Sequence, residues 1–163
     1  MIDESYVYTR IGMALVSAQR VEFIAGQLLD HLKEFDEEVY GITPAEFLDR
    51  TRAFKRKHKT LGDIFTLLKL NPKLVIEDEL DKYKDLRNTL AHNFWKEYLN
   101  TKTEHQTKRA IDFCNEFREF STQMESFFKG FTYFLALRHV KDRDHLDLNF
   151  KKWDSDFEYF MSR

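Results

Sequence analysis

The feature that most constrains the fold is a row of apolar residues, mostly phenylalanines, in the last third of the chain. Its members follow one another three or four positions apart: Ala110, Phe113, Phe117, Phe120, Met124, Phe127, Phe131 and Phe134. Residues at this spacing lie on one face of an α-helix, whereas a strand requires alternation at every second residue. The row therefore predicts a long helix from about Thr103 to His139.

Three further segments show helical patterns. From about Glu4 to Glu38, two adjoining apolar rows predict a first long helix that is packed on two sides. Thr43, Pro44 and Glu46 form a capping box, which starts a second, short or interrupted helix that ends at Asn71-Pro72. From about Leu74 to Trp95, a third long helix carries Leu80, Tyr83, Leu90 and Phe94 on one face.

Few chain breakers separate these segments, since the 163 residues include only five glycines and two prolines. We therefore expect a single domain over residues 1–163 with an all-α fold. The predicted architecture is an up-down antiparallel four-helix bundle with its core at about 4–139 and a short C-terminal extension at 140–163. In that extension a short helix is expected to dock through Trp153, Phe157 and Phe160.

Composition excludes several classes of protein. A single cysteine is too few for a disulfide framework or a cysteine-rich zinc site and fits a reducing compartment, so we expect a cytoplasmic protein. No apolar run approaches the ~20 residues of a membrane helix, and the acidic start differs from a signal peptide. With 26 basic and 28 acidic side chains, the net charge of −2 indicates no partner by itself.

The third predicted helix contains Arg87-Asn88-Thr89-Leu90-Ala91-His92. This segment resembles the signature of the HEPN superfamily of helical-bundle proteins, in which an arginine, often followed by asparagine, is separated from a histidine by four to six residues. Many HEPN proteins are metal-independent ribonucleases. Residues 13–22 and 60–64 resemble the first two helices of the family, so the resemblance covers roughly residues 8–137.

The resemblance implies an endoribonuclease that needs no metal or other cofactor. It implies a homodimer whose interface joins two copies of Arg87 and His92, and RNA that is cleaved by attack of its own 2′-hydroxyl, leaving a 2′,3′-cyclic phosphate. His92 would transfer protons and Arg87 would bind the scissile phosphate. It also implies a toxin of a toxin–antitoxin or phage-defence system, with a possible antitoxin as partner. In one branch of the family the antitoxin modifies a tyrosine two residues after the histidine, but Phe94 stands there in this chain.

The residues add expectations of their own. In an ideal α-helix Arg87 and His92 lie about 140° apart, whereas Asn88 and His92 are neighbours. We therefore expect Asn88 to hydrogen-bond to the imidazole and orient it. Arg87 shares a row with apolar residues and needs a carboxylate partner, for which Glu22 and Asp85 are the candidates.

Tyr83 lies one turn before the arginine and belongs either to a supporting layer of the site or to the core. A separate feature is the basic stretch at residues 50–59, which holds six cationic side chains and no acid. It predicts contact with an RNA backbone, although it also fits a solvated loop that is balanced by nearby acids. Its members are Arg50, Arg52, Lys55, Arg56, Lys57 and Lys59, and Lys82, Lys84 and Lys96 extend the same track.

Other interpretations stay open. The chain fits a non-catalytic HEPN module that binds a nucleotide or a partner protein, and it fits a helical scaffold whose phenylalanine row serves assembly. An arginine and a histidine on a bundle helix also occur without a catalytic role. The arginine is then an ion-paired surface residue, and the histidine has its hydrogen bonds satisfied. The acids and histidines between His139 and Asp147 lack a metal-ligand spacing, so no metal site is expected.

Overall fold

The computed structural model describes residues 3–31 and 76–163, and regular structure within these ranges is helical throughout. The predicted all-α bundle is confirmed. The second predicted helix with its capping box at Thr43 and the basic stretch 50–59 lie outside the described residues. The elements are α1 (Glu4–His31), α2 (Glu77–Asn88), a π-helical turn (Thr89–Asn93), α3 (Phe94–Tyr98), α4 (Glu104–Leu137), a 3-10 turn (Arg143–His145), α5 (Leu148–Lys151) and α6 (Asp154–Met161).

Helix α4 carries the predicted aromatic row and forms the centre of the fold. The Thr103 hydroxyl caps its first turn by accepting a hydrogen bond of 3.2 Å from the Gln106 backbone N–H, and the helix runs unbroken through Gly130. Phe117 and Phe131 are each 1% exposed, and the other aromatics of the row pack against the same core. The row is therefore covered inside the chain.

Helix α1 packs on α4 mainly through one heptad row. Val7, Ala14, Val21 and Leu28 are all buried, and alanines on the same side allow the two helices to approach closely. Val16 and Phe23, which belong to neither of the two predicted apolar rows, are 56% and 65% exposed. Glu22 contacts Arg87 and Arg20 contacts Glu125, so α1 meets neighbours on two sides.

Contacts along the helices give their directions. Tyr83 of α2 meets Ser121, and Phe94 of α3 meets Phe113, so this segment runs antiparallel to α4. Helix α1 runs parallel to α4, since the charged ends of Glu4 and Lys102 approach to 3.9 Å and Arg20 reaches Glu125 much later in both helices. In a four-helix bundle whose helices strictly alternate in direction, the first and last helices would be antiparallel, whereas α1 and α4 are parallel. The path that connects α1 to α2 lies outside the described residues.

The C-terminal extension docks on α4 as predicted. Phe157 stacks on Tyr133 with ring centroids 4.6 Å apart, and Phe160 contacts Phe127 and Phe131. Gly130 makes this approach possible, because a Cβ there would overlap the Asp156 carbonyl oxygen and lie 2.5 Å from the Phe160 Cβ. Glycine at position 130 therefore allows the two helices to pack closely.

Candidate functional site

The segment that carries the arginine and the histidine is not a continuous α-helix. After α2 the chain makes one π-helical turn, Thr89–Asn93, and then continues as α3. Hydrogen bonds in a π turn join residues five apart, so the turn is wider than an α turn. The offset of about 140° between Arg87 and His92 assumes an α-helix and does not hold here. The wider turn rotates His92 toward the side of Arg87.

Apolar anchors hold the π turn against the bundle on its inner side. Leu90 and Phe94 are 5% and 6% exposed, and Phe94 stacks on Tyr98 and meets Phe113 edge-on. The outer side of the turn presents exposed side chains, including His92. Single π turns within α-helices occur frequently at functional sites.

Arg87 is paired with Glu22 of α1, which is one of the two predicted partners. Arg87 Nε donates to Glu22 Oε1 at 2.9 Å, and Nη2 lies 2.7 Å from the same oxygen. Asp85, the other predicted partner, is exposed and makes no side-chain contact with Arg87 within the described residues. Both members of the pair retain about a third of their side-chain exposure (30% and 34%), so solvent reaches the guanidinium.

One edge of the guanidinium faces Glu22 and the other remains available. An arginine side chain carries five N–H donors, and the carboxylate engages the Nε and Nη2 edge. Within residues 3–31 and 76–163, no other hydrogen bond or ion pair to Arg87 is present. Arg87 is therefore held in place by one anion while it still has donors for a second.

Tyr83 belongs to the core beneath this pair. The residue is fully buried, and its hydroxyl lies 3.1 Å from Ser121 Oγ. Ser121 donates its own proton to the Phe117 carbonyl at 2.8 Å, so Tyr83 is the donor to Ser121. Burial raises the pKa of Tyr83 well above its ordinary value, while the charges of Glu22 and Arg87 act on it with opposite sign. Tyr83 thus stays protonated and supports the site from below.

His92 and Asn88 are both exposed. Within the described residues, the hydrogen bond expected between them is absent. Neither side chain has a hydrogen-bond partner there. The spacing rule behind that expectation applies to α-helices, whereas these residues flank and enter a π turn. The structure therefore brings Glu22 to Arg87 but leaves the imidazole without an orienting group from the described part of the protomer.

Sequence reasoning missed a second feature, a groove of about 910 Å³ between α1, α4 and the C-terminal helices. At its base Glu125 Oε1 lies 2.9 Å from Arg20 Nη2 and 2.7 Å from Lys129 Nζ. Burial alone would raise the pKa of Glu125, but the hydrogen bonds and charges of the two cations outweigh it and lower the pKa. Arg20 and Glu22 lie about 160° apart around α1, so the groove and the Arg87 pair occupy opposite sides of that helix.

One contact in this groove could have been predicted from the sequence. Glu125 and Lys129 stand four residues apart, the usual spacing of a helical ion pair. The reach of Arg20 from another helix has no such signal, and the groove's aromatic rim combines residues distant in the chain, Phe23, Phe150 and Trp153.

Metal sites and membrane-spanning helices are both missing from the described residues. No three histidine, cysteine, aspartate or glutamate side chains there converge as a metal site. His145 Nδ1 lies 2.6 Å from Asp142 Oδ1, and this hydrogen bond lowers the pKa of the Asp142 carboxyl. No helix in the same ranges has the length and apolar character needed to cross a bilayer.

Comparison of the chain with protein-family profiles, with curated proteins and with solved structures finds no match in any of the three.

Proposed function

We propose that this protein is a metal-independent endoribonuclease of the HEPN type, with Arg87 and His92 as its catalytic residues. The observation that carries the proposal is the arrangement of Arg87. Its guanidinium is fixed by Glu22 through one edge, keeps donors for a further anion, and precedes an exposed histidine in a π turn. A fixed cation beside a proton-transfer group is the minimal equipment for phosphodiester cleavage.

In the proposed reaction the ribose 2′-oxygen attacks the adjacent phosphorus as the bond to the 5′-oxygen breaks. One imidazole accepts the proton of the 2′-hydroxyl, and a second group returns a proton to the leaving 5′-oxygen. Arg87 stabilises the charge that accumulates on the non-bridging oxygens. The products are a 2′,3′-cyclic phosphate and a free 5′-hydroxyl, and the internal nucleophile restricts the substrate to RNA.

A homodimer supplies the second proton-transfer group. One protomer offers a single His92 on the outer side of the π turn, and a two-fold contact along this segment would bring two copies together. One imidazole would then act as base and the other as acid. Asn88, which is exposed beside Arg87, would orient an imidazole across such an interface. The basic stretch 50–59 remains a proposed contact for the RNA backbone.

The experiment is cleavage of a labelled RNA by the purified protein in EDTA. Arg87→Ala and His92→Ala are expected to abolish cleavage while the circular dichroism spectrum stays unchanged, and the products of the native protein should carry cyclic phosphates. His105→Ala and Lys108→Ala are matched controls, because both residues are exposed and lie outside the motif. Cleavage that survives either motif variant, or that requires added metal, would rule out this mechanism.

The proposal extends to a toxin or phage-defence role with an antitoxin as possible partner. Phe94 has no hydroxyl, and its ring is buried against Tyr98 and Phe113. This arrangement argues against control by modification at that position and favours an antitoxin that acts by binding. Growth arrest on expression, relieved by His92→Ala, tests toxicity, and unimpaired growth would exclude it.

A non-catalytic module that binds a nucleotide is the second candidate, and the groove beside Arg20 favours it. Its volume suits a small ligand, its rim offers exposed Phe23 and half-buried Trp153, and Lys152 adds a cation. Under this alternative, nucleoside phosphates should change the fluorescence of Trp153, and Phe23→Ala and Lys152→Gln should each weaken binding. RNA cleavage without any such response favours the enzyme.

A further inference from the structure

Helix α1 carries a second stripe of side chains, on a different face from its buried heptad row. Its members stand four and three residues apart in alternation, so they share one side of the helix: Thr9, Met13, Val16, Arg20, Phe23 and Gln27. The apolar members Met13, Val16 and Phe23 are 39%, 56% and 65% exposed. An exposed apolar stripe with this period is the pattern by which one helix packs against another.

The α1 stripe forms one wall of an extended groove whose other wall is α4. The groove of about 910 Å³ continues past Val16 and Arg20 into a recess of about 430 Å³ that reaches Thr9. From Thr9 to Gln27 the extended groove follows α1 for about 27 Å, or about five turns. At Gly12 an added Cβ would have no atom within 4 Å, so another backbone has room to approach there. The extended groove therefore has the length and the shape to hold a helix.

Cations outnumber acids along the extended groove. Four cations and two acids line it: Arg20, Arg118, Lys129 and Lys152, with Glu125 and Asp156. Glu125 is already shared by Arg20 and Lys129. Arg118 is half-buried, and its guanidinium makes no hydrogen bond or ion pair within the described chain. A half-buried cation is unfavourable without an anion, so the groove favours an occupant that supplies acidic groups.

We propose that the extended groove binds an acidic amphipathic helix of a partner protein. Apolar side chains of that helix cover Met13, Val16 and Phe23, and its Asp or Glu side chains pair with Arg118 and the other lining cations. The inference does not depend on the proposed ribonuclease activity, because the groove and the Arg87 pair occupy opposite sides of α1.

A second copy of this chain suits the groove less well than an acidic helix. A two-fold contact there would bring the lining cations of both protomers together, and like charges across an interface are unfavourable. The acids of α1 do not compensate for this, since Glu4 and Glu22 both lie about 160° from Arg20 around the helix, and Glu22 already holds Arg87. The catalytic dimer proposed above uses the π turn and leaves the groove open.

Nucleotides and RNA also carry negative charge, but phosphates do not cover an apolar stripe. Met13 and Val16 are aliphatic and offer no flat face on which a base could stack. An amphipathic helix covers the stripe and supplies carboxylates within one element. Nucleotide, RNA and a second copy of the chain are therefore the competing outcomes that the experiment must detect.

The probe is a displayed library of random peptides of about 18 residues with high helix propensity, selected on the immobilised native protein. We expect enrichment of sequences that combine apolar residues at alternating three- and four-residue spacing with an excess of Asp and Glu. The affinity of a labelled, enriched peptide, measured by fluorescence anisotropy, should fall as salt rises. Arg118→Gln and Phe23→Ala should each weaken binding about tenfold. Neither side chain takes part in a hydrogen bond, ion pair or ring contact of the described chain, so both variants should fold.

Lys108→Gln and Trp95→Ala are the matched controls. Lys108 is an exposed cation of α4, and Trp95 of α3 is as exposed (67%) as Phe23. Both variants should bind the peptide as the native protein does. Selection of peptides without an excess of acids, or of none, overturns the inference, as does unchanged affinity in Arg118→Gln. A nucleoside triphosphate or RNA oligomer that binds the groove more tightly than the peptide and displaces it also overturns it.

Cysteine labelling shows whether the groove is open in the free protein. Phe23→Cys should react with a polar maleimide as fast as Met161→Cys, whose position is 61% exposed on α6, while the native Cys114 is buried and should react slowly. The acidic peptide should protect Phe23→Cys and leave Met161→Cys reactive. In the free protein, protection of Phe23→Cys that disappears on dilution would assign the groove to a second copy. Protection at every concentration would assign it to another segment of the same chain, and either result overturns the inference.

Discussion

The most direct test of the packing is one chemical change, glycine to alanine, made at two helical positions with opposite expected results. Gly130 lies in α4 beneath the C-terminal helix, where an added Cβ overlaps the Asp156 carbonyl oxygen and approaches the Phe160 Cβ to 2.5 Å. Gly12 lies in α1, where a Cβ has no atom within 4 Å. The two variants therefore share the intrinsic gain of alanine and differ in overlap.

Alanine is more favourable than glycine inside a helix by about 1 kcal/mol. Gly12→Ala should therefore raise the free energy of unfolding by about that amount. At Gly130 the same gain is opposed by overpacking, which costs about 1–3 kcal/mol when a group is forced into a close-packed contact. We expect Gly130→Ala to lie about 1–3 kcal/mol below Gly12→Ala, and therefore at or below the stability of the native protein.

Thermal and urea unfolding measure both values. For a chain of this size about 1 kcal/mol corresponds to a shift of about 2–4 °C in Tm, so the two variants should separate by several degrees. Trp153 fluorescence adds a local reading, since this residue packs against the core from the C-terminal extension. If Gly130→Ala stabilises the protein as much as Gly12→Ala, α6 does not pack on α4 as described and the reasoning fails.

Three further results are expected. Glu22→Gln should lower the free energy of unfolding by less than about 1 kcal/mol, because the pair with Arg87 is partly solvated, but should reduce RNA cleavage; if both properties are unchanged, the pair has no functional role. Glu125→Gln should flatten the acid side of the stability profile: the pKa of Glu125 is lowered from 4.5 in the folded state, so the stabilisation exists above the unfolded pKa and is lost as pH falls through the folded value. Urea unfolding from pH 7 to pH 3 checks this, and parallel curves would contradict it. Tyr83→Phe should cost about 1 kcal/mol through the lost bond to Ser121, with cleavage per folded molecule unchanged; a selective loss of cleavage would place Tyr83 in the site.

Much of the described fold follows from periodicity alone. The aromatic row predicted α4 within two residues of its observed ends, Glu104 and Leu137, because a stripe that long has no other regular conformation that buries it. The docking of Phe157 and Phe160 was also predictable, since exposed aromatics in a short tail require a neighbour. The π turn was not predictable. The spacing of apolar residues specifies which side chains are buried, and both an α turn and a wider turn between Leu90 and Phe94 are compatible with it.

The candidate site was also predictable only in part from the sequence. Glu22 was identifiable as a carboxylate in an apolar row, and the need of Arg87 for a partner pointed to it. The choice between Glu22 and Asp85 depended on how α1 and α2 lie side by side. Asn88 was predicted to bond to His92 from α-helical spacing, and the described contacts contain no such bond, since the spacing changes where the helix widens.

The sequence by itself determined that the described chain is helical, where the helix that carries the aromatic row begins and ends, and which few polar residues interrupt apolar faces. These properties are local, because they depend on spacing along one helix and on the cost of exposing apolar side chains. Tertiary structure alone decided that Glu22 holds Arg87, that Glu125 joins Arg20 to Lys129, and that Gly130 admits the backbone of α6. Each of these depends on distances between separate helices, which are set by how side chains fill the space between them.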